Sequence, residues 1–245
     1  VKAIREGKMS QVAPDLFPVS GPWQEPIVAN MIDVAARDMA EMIAPLPSFN
    51  CTNPAMTSDR SKSKATLKTK IANGYAVNCD LQGQMYSGCD HLVTYAFLPG
   101  RIEVDYETQM PMIRLLDPEG CYYEKDRFGR LTAFYQHTVV PKQELVALYP
   151  ELSGVIRQSG LEGDADVVFY SDKHEDVAYW HHAAGRQQHV LDRTPNPVGK
   201  MLVRVAERAG GTKVPRGQFD DVLFVQLAKS RMALLALQAD RKSVV

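Results

Sequence analysis

The chain of 245 residues is long enough for one or two domains with sizeable cores. Its formal net charge of −1 excludes a polycation that binds nucleic acid through its overall charge. No uncharged apolar run reaches the ~18 residues that a membrane span needs. The chain begins at Val1 rather than at a methionine and stops on Lys242-Ser-Val-Val, so we expect it to be part of a larger polypeptide.

The charge is unevenly distributed along the chain. Residues 198–245 carry nine Lys and Arg against four Asp and Glu, a local net charge of +5. A second basic stretch, residues 60–70, has only Asp59 against it. Four widely spaced cysteines without a C-x-x-C motif predict free buried thiols rather than a zinc site or a disulfide framework: Cys51, Cys79, Cys89 and Cys121.

The first third of the chain predicts an extended arm and two helices. Residues 1–25 are interrupted by four turn-forming residues and predict the arm: Pro14, Pro18, Gly21 and Pro22. Residues 27–44 predict a helix that Pro26 opens. Residues 59–84 predict a second helix, capped by Thr57 or Ser58.

The period of the apolar residues changes to two after Cys89. Residues 92–98 and 102–106 predict two strands joined by a turn at Pro99-Gly100. Further elements are predicted in this order: a strand at 111–116, a hairpin of 121–124 with 130–140 turning at Gly129, a helix at 142–149, strands at 166–170, 176–181 and 189–192, and a last strand at 201–206. A long helix follows. The predicted fold class is α+β, with N-terminal helices, an antiparallel sheet and a long C-terminal helix.

Catalytic chemistry finds little support in the residue patterns. His181 and His182 are adjacent on a predicted strand and so point to opposite faces, which favours surface histidines over a metal site that includes His174, Asp176 or His189. The carboxylates of residues 117–126 belong to ordinary turn sequences: Asp117, Glu119, Glu124 and Asp126. The chain contains neither a phosphate-binding glycine loop nor a G-x-S-x-G motif. We therefore predict no catalytic residue, no cofactor and no metal.

Two predicted helices have surfaces that suit a partner. The predicted second helix places Arg60, Lys64 and Lys68 four residues apart, which suits a solvated face, an acidic neighbouring subunit or phosphates. The terminal helix is apolar on more than one face, because one stripe of apolar residues does not coincide with another: Phe219, Leu223, Leu227 and Leu234 against Val222, Phe224, Val225 and Leu235. Either this helix lies inside the core of the chain, or it packs against copies of itself.

The terminal segment also resembles the portal proteins of tailed bacteriophages, of the kind found in phages of actinobacteria. The resemblance is carried by residues 215–237 (PRGQFDDVLFVQLAKSRMALLAL), running into Lys242-Ser-Val. Shorter stretches support it in the same order: 43–49 (IAPLPSF), 113–120 (IRLLDPEG), Tyr123, 126–129 (DRFG) and 144–150 (ELVALYP).

The resemblance implies a ring of about twelve subunits at one vertex of the virion capsid, assembled in the host cytoplasm. Double-stranded DNA would be packaged and ejected through its channel. The implied partners are further copies of the chain, the major capsid protein, the terminase packaging motor and the head-tail adaptor protein, without a membrane. The implied division is an N-terminal arm (1–25), a wing-like α+β domain (26–206), and a loop with a long helix leading into the stem (207–245).

The implied site residues lie on the terminal helix. Phe219, Leu223, Leu227 and Leu234 are the candidate subunit interface, and Lys229 and Arg231 are the candidates for facing DNA in the channel. Two other functions remain as alternatives. One is a metal-dependent hydrolase that uses the 117–126 carboxylates and the histidine pair. The other is a small DNA-binding adaptor that uses the basic face at 60–70.

Overall fold

A computed structural model describes residues 1–17, 30–52, 58–105, 110–158, 163–181, 188–208 and 216–243. The fold is mixed α+β, as predicted. The described residues form eight α-helices: α1 (Lys2–Arg5), α2 (Met9–Val12), α3 (Met31–Ile43), α4 (Asp59–Asn78), α5 (Leu81–Tyr95), α6 (Lys142–Leu148), α7 (Ser153–Gln158) and α8 (Leu223–Ser243). Short 3-10 turns at Pro150–Leu152 and Asp220–Val222 precede α7 and α8.

Eight strands form two sheets. They are β1 (Phe97–Asp105), β2 (Met110–Leu115), β3 (Cys121–Lys125), β4 (Leu131–Pro141), β5 (Asp164–Ser171), β6 (Glu175–His181), β7 (Gln188–Pro195) and β8 (Val203–Glu207). One sheet has the order β2-β1-β8 and the other the order β3-β4-β5-β6-β7. The second sheet is an antiparallel meander, since each strand pairs with the next along the chain.

The chain folds as two compact units. The helical unit comprises Val1–Leu98 with Glu207–Val245, and the sheet unit comprises Pro99–Ala206. The predicted domain at 26–206 is therefore divided at residue 98. The physical reason is that α8 returns to the N-terminal helices, with which it shares one hydrophobic core.

The N-terminal segment corrects the prediction of an extended arm. α1 and α2 are helical, and Ile4, Met9 and Phe17 are each no more than 2% exposed. Burial of these apolar side chains outweighs the local turn signal of Pro14. Residues 18–25 of the predicted arm lie outside the described ranges, as does the predicted start of the next helix at residues 27–29.

The predicted helix at 59–84 is instead two helices. α4 ends at Asn78, and Asp80 adopts a left-handed conformation with φ of +46°. The Asp80 carboxylate then caps α5 by accepting a hydrogen bond from the Gly83 amide at 3.3 Å. A Cβ atom on Gly83 would collide with this carboxylate, which accounts for the glycine. An aspartate N-cap thus starts a new helix inside a predicted one.

The predicted strand at 92–98 and the predicted turn at Pro99-Gly100 are wrong. Residues 92–95 form the last turn of α5, which ends where Ala96 takes φ of +68°. Pro99 and Gly100 lie within β1, and the Pro99 carbonyl accepts a hydrogen bond from the Leu116 amide at 2.9 Å. A short apolar run fits a buried helix as well as a strand, and Val93, 4% exposed, packs in the helical core.

The sheet unit follows the prediction more closely. The hairpin of β3 with β4 turns at Gly129 with φ of +75°, and the meander of β5, β6 and β7 is confirmed. Its core lies between one face of the five-stranded sheet and the helices α6 and α7. The buried cluster contains Val140, Leu145, Ile156, Ala165, Val167, Ala178, Trp180 and Leu191.

Candidate functional site

The start of α8 is anchored on the end of α5. The Gln218 amide donates to the Val93 carbonyl at 3.1 Å, and the Asp220 carboxylate accepts from the Gly217 amide at 2.8 Å. Gly217 lies so close to the Thr94 backbone that a Cβ atom there would be 2.5 Å from the Thr94 oxygen. A glycine at this position therefore lets the two helices approach, and it fixes which face of α8 turns inward.

The inner face of α8 packs into the helical unit's own core. Leu227 is 8% exposed, and Leu223 and Leu234 pack against the same cluster. Phe219, just before the helix, is 9% exposed in that cluster, beside residues from α1, α2, α3 and α5. Gln226 and Ser230 share the inner face, which runs along the spacing i, i+3, i+4, i+7.

The candidate subunit interface stays a prediction, but its four residues have contacts within the chain itself. Phe219, Leu223, Leu227 and Leu234 were expected to meet a neighbouring subunit, but they contact other helices of the same chain. Of the two interpretations of α8, the core helix describes this stripe. The sequence alone does not separate the stripes, because both consist of large aliphatic or aromatic residues.

The outer face of α8 is an apolar surface that the described residues leave open. We define it by four residues on the opposite side of the helix: Phe224, Val225, Met232 and Leu235. Phe224 is 82% exposed and Met232 is 69% exposed. Isolated exposed apolar residues are common, but a row of them along one helix marks an interaction surface.

The two predicted DNA-facing residues differ in their surroundings. Lys229 is exposed beside the outer face of α8. Arg231 is half-buried, and its Nη1 donates to the Leu16 carbonyl oxygen at 2.6 Å. The structure therefore gives Arg231 a contact that holds the N-terminal segment against α8, and its position in a channel stays a prediction.

A second arginine clamps the N-terminal helix. Arg5 on α1 forms ion pairs with Asp33 of α3 at 3.0 Å and with Asp90 of α5 at 2.7 Å, and it also donates to Thr94. Burial lowers the pKa of Arg5, but the hydrogen bonds and charges of Asp90 and Asp33 outweigh it and raise that pKa. The bidentate geometry makes Arg5 a rigid tie between three helices.

A cavity of about 250 Å³ lies beside this clamp. Its lining includes the cations Lys2, Arg5 and Arg37 and the acids Glu6, Asp33 and Asp90. These charges pair with one another or with adjacent groups, as Arg37 does with Asp33 at 2.7 Å. The cavity therefore offers a ligand no excess charge of either sign, and we assign the cluster to structure.

The predicted basic face of α4 is present and exposed. Arg60, Lys64 and Lys68 are exposed on one side of the helix. Leu67 and Ile71, also exposed, lie on the same side at 57% and 46% of their surface. The helix buries only Ala65 and Ala76, so nearly all of its surface is available to a partner.

The residues of the hydrolase alternative take structural roles. Asp117 accepts from the Glu119 amide at 2.9 Å, and Asp126 accepts from the Phe128 and Arg130 amides, which confirms the turn interpretation. Asp176 binds Arg101. No group of three or more His, Cys, Asp and Glu side chains within the described ranges is placed to hold a metal ion.

The histidines of the predicted cluster are dispersed in their roles. The His189 ring stacks on Trp180 at 5.3 Å between centroids. The His174 amide donates to the Asp172 carboxylate at 2.6 Å. β6 ends at His181, and His182 lies outside the described residues. Among the described members of the cluster, the arrangement favours packing and turn roles.

The four cysteines, all within the described residues, form no disulfide bond. Cys51 is half-buried and the other three are buried. Burial, assisted by the nearby Asp117 charge, raises the pKa of Cys121 to about 12. A thiol with such a pKa stays protonated at neutral pH, so it is neither a nucleophile nor a metal ligand there.

Comparison with known proteins does not extend these assignments. A scan against models of protein families found no match, and a search of curated proteins found no relative. Among the described helices, none has both the length and the apolar composition to cross a membrane.

No sequence pattern predicts the Arg5 clamp. Asp33 and Asp90 lie 28 and 85 residues from Arg5, so no local spacing relates the three. The sequence predicts surplus apolar surface on α8, but it does not show which face packs inside the chain. A signal was available at Gly217, where a glycine before a helix start suggests close backbone approach.

Proposed function

We propose that this chain is a structural subunit of a phage portal. Copies of the chain form a ring of about twelve at one capsid vertex, and double-stranded DNA is packaged and ejected through it. The ring performs no covalent chemistry. It serves as the platform for the packaging motor and for the head-tail adaptor, and it sits in the virion.

The outer face of α8 carries this proposal. Phe224, Val225, Met232 and Leu235 form an exposed row along a helix whose other side is already packed. Identical chains arranged around an axis can cover such a row by packing it on a neighbour. The ordered motifs at 43–49, 113–120, 144–150 and 215–237, which resemble portal proteins, support the same assignment.

The free energy gained by burying the outer face of α8 indicates whether the ring needs another contact. Full burial of one such side chain stabilises by ~1.5–3 kcal/mol, so four give roughly 6–12 kcal/mol at most. Association costs an estimated ~4–15 kcal/mol in lost freedom. The outer face of α8 therefore contributes to a ring but hardly suffices alone, and a second contact surface is required.

The charge of the chain suits a conduit. Each phosphate that a fixed cation neutralises strengthens DNA binding, so a channel must carry few of them. The chain has a net charge of −1, and among the side chains of α8 that the structure describes, Lys229 is the exposed cation beside the outer face. One cation allows a transient phosphate contact without holding the cargo.

The test is the mass and shape of the assembled protein. Native mass spectrometry and negative-stain images are expected to show closed rings of about twelve chains with an open centre. The double variant Phe224→Ser/Met232→Ser is expected to shift the population to monomers. The matched control is Val198→Ser, which makes the same type of change at a side chain that is 58% exposed in the sheet unit.

Two outcomes would contradict the proposal. One is a wild-type chain that remains monomeric at all concentrations tested. The other is a ring that the double variant leaves intact. Circular dichroism of the variant separates a lost contact from a lost fold, since the two substituted side chains are exposed.

A further inference from the structure

The basic face of α4 has the mixed composition that suits a protein partner. We define this face by Arg60, Lys64, Leu67, Lys68 and Ile71. At 100° per residue these five side chains fall within about 100° of one another around the helix. Cations and exposed aliphatic side chains are thus interleaved on one surface, whereas a phosphate backbone needs only the cations.

The sheet unit carries a surface of the opposite kind on α6, α7 and the turn between them. We define this acidic surface by Glu144, Leu148, Glu151 and Val155. Leu148 is 60% exposed, Val155 is 46% exposed, and both glutamates are exposed. Acids and aliphatic side chains alternate here as cations and aliphatic side chains do on α4.

The charge at this surface also affects a neighbouring tyrosine. Burial is the largest influence that raises the pKa of Tyr149, and the charges of Asp192 and Glu151 add to it. Of these two carboxylates, Glu151 belongs to the acidic surface.

The two units of the chain also differ in net charge, and the difference has the same direction as that between the basic face of α4 and the acidic surface. Residues 99–206 contain sixteen Asp and Glu against twelve Lys and Arg, a net charge of −4. The remainder contains thirteen Asp and Glu against sixteen Lys and Arg, a net charge of +3. Copies of one chain thus offer each other surfaces of opposite sign, and this complementarity identifies the partner.

We propose that the basic face of α4 in one copy packs against the acidic surface of α6 and α7 in a second copy. The contact is heterologous, because it joins two different surfaces, and such contacts repeat into rings when the rotation closes. The inference rests on the proposed function for its identical neighbours. It supplies the second contact surface that the outer face of α8 requires.

Charge exchange tests this contact. Lys64→Glu/Lys68→Glu and Glu144→Lys/Glu151→Lys are each expected to weaken self-association about tenfold or more at low salt, because like charges then face each other. The chain that carries all four substitutions is expected to recover most of the loss, since it restores opposite charges. The readout is the concentration dependence of the mass distribution in native mass spectrometry.

Lys62→Glu is the matched control. Lys62 is on the same helix but lies about 140° around it from Leu67, and it contacts only the exposed Asp59, at 3.4 Å, among the ion pairs of the described residues. One Lys-to-Glu exchange there, half the change of charge in the α4 double variant, is expected to leave self-association within about twofold of the wild type. An equal loss in the control would show a general charge effect and overturn the assignment.

The remaining outcomes separate this inference from the proposed function. Rings that the Phe224→Ser/Met232→Ser variant dissolves but that charge reversal on α4 leaves intact would overturn the inference alone. A four-substituted chain that stays as weak as its two parents would also overturn it. Loss of duplex DNA binding on reversal of Lys64 and Lys68, with unchanged rings, would reassign the basic face to nucleic acid.

Discussion

α8 and α4 are the two longest helices of the helical unit, and they are used in opposite ways. α8 has 21 residues and buries an inner face in the core, while its outer face stays apolar and exposed. α4 has 20 residues and buries only two alanines. In proteins most of the stability of a helix comes from the packing of one face. The comparison indicates that α8 holds the fold together, whereas α4 is held mainly by its local hydrogen bonds and, in the proposed ring, by a partner.

The strongest test of this contrast compares two phenylalanines five residues apart. Phe219→Ala is expected to lower the free energy of unfolding by about 3–5 kcal/mol, since it empties a space in the core. Phe224→Ala is expected to change it by less than about 0.5 kcal/mol, because this side chain is 82% exposed. Urea denaturation followed by circular dichroism, at a concentration where the chain is monomeric, measures both. Equal losses would contradict the assignment of the two faces.

A slightly smaller effect is expected from loss of the Arg5 clamp, which ties α1 to α3 and α5. Arg5→Met retains much of the side-chain volume but leaves Asp33 and Asp90 without their shared cation. Because Asp33 is 15% exposed and Asp90 is 33% exposed, we expect a loss of about 2–3 kcal/mol, below that of a fully buried pair.

A control variant and a second readout sharpen the clamp experiment. Arg37→Met removes the other cation that binds Asp33, but its side chain is 69% exposed, so we expect a change of less than about 1 kcal/mol. A loss at Arg5 that matches the small loss at Arg37 would mean that the N-terminal helix is not tied to the core. Proteolysis near residues 6–8 gives a second readout of a released α1.

The same contrast explains what the sequence predicts and what it does not. The α+β class, the meander and the β3–β4 hairpin follow from alternating apolar residues and from turn residues such as Gly129. The outcomes that fail depend on distant contacts. Val93 fits a strand by local pattern but lies in a helix, because the core of α1, α3 and α8 surrounds it.

The candidate site shows the same limit. Lys64 and Lys68 are visible as a basic face because they share one helix at fixed spacing. The packing of Phe219 and Leu227 in the chain's own core could not be predicted, because the sequence shows that a helix has two apolar stripes, not which one its own chain covers. That choice is made by tertiary packing, through residues such as Gly217 at the contact with α5.

A smaller loss, of local helix stability, is expected at the start of α4. The Ser58 hydroxyl accepts a hydrogen bond from the Ser61 amide at 3.3 Å and caps the helix. Ser58→Ala is expected to cost about 1 kcal/mol of local helix stability. Hydrogen exchange of the first-turn amides of α4 measures this loss. Ser63→Ala is the control, because Ser63 is exposed inside the same helix and an alanine there favours helix formation.

The smallest change in the monomer is expected on the basic face of α4. Leu67→Ser removes a side chain that is 57% exposed, so the free energy of unfolding should shift by less than about 0.5 kcal/mol. In the proposed ring the same substitution places a hydroxyl in an aliphatic contact with the acidic surface of α6 and α7, and the ring should weaken.

Hydrogen exchange distinguishes the monomer from the ring. In the wild type, α4 amides should exchange faster than those of α8 in the monomer and become protected on assembly, because a covered helix opens less often. If α4 amides are equally protected before and after assembly, this helix needs no partner. The two helices would then differ in amino-acid composition but not in their need for a partner.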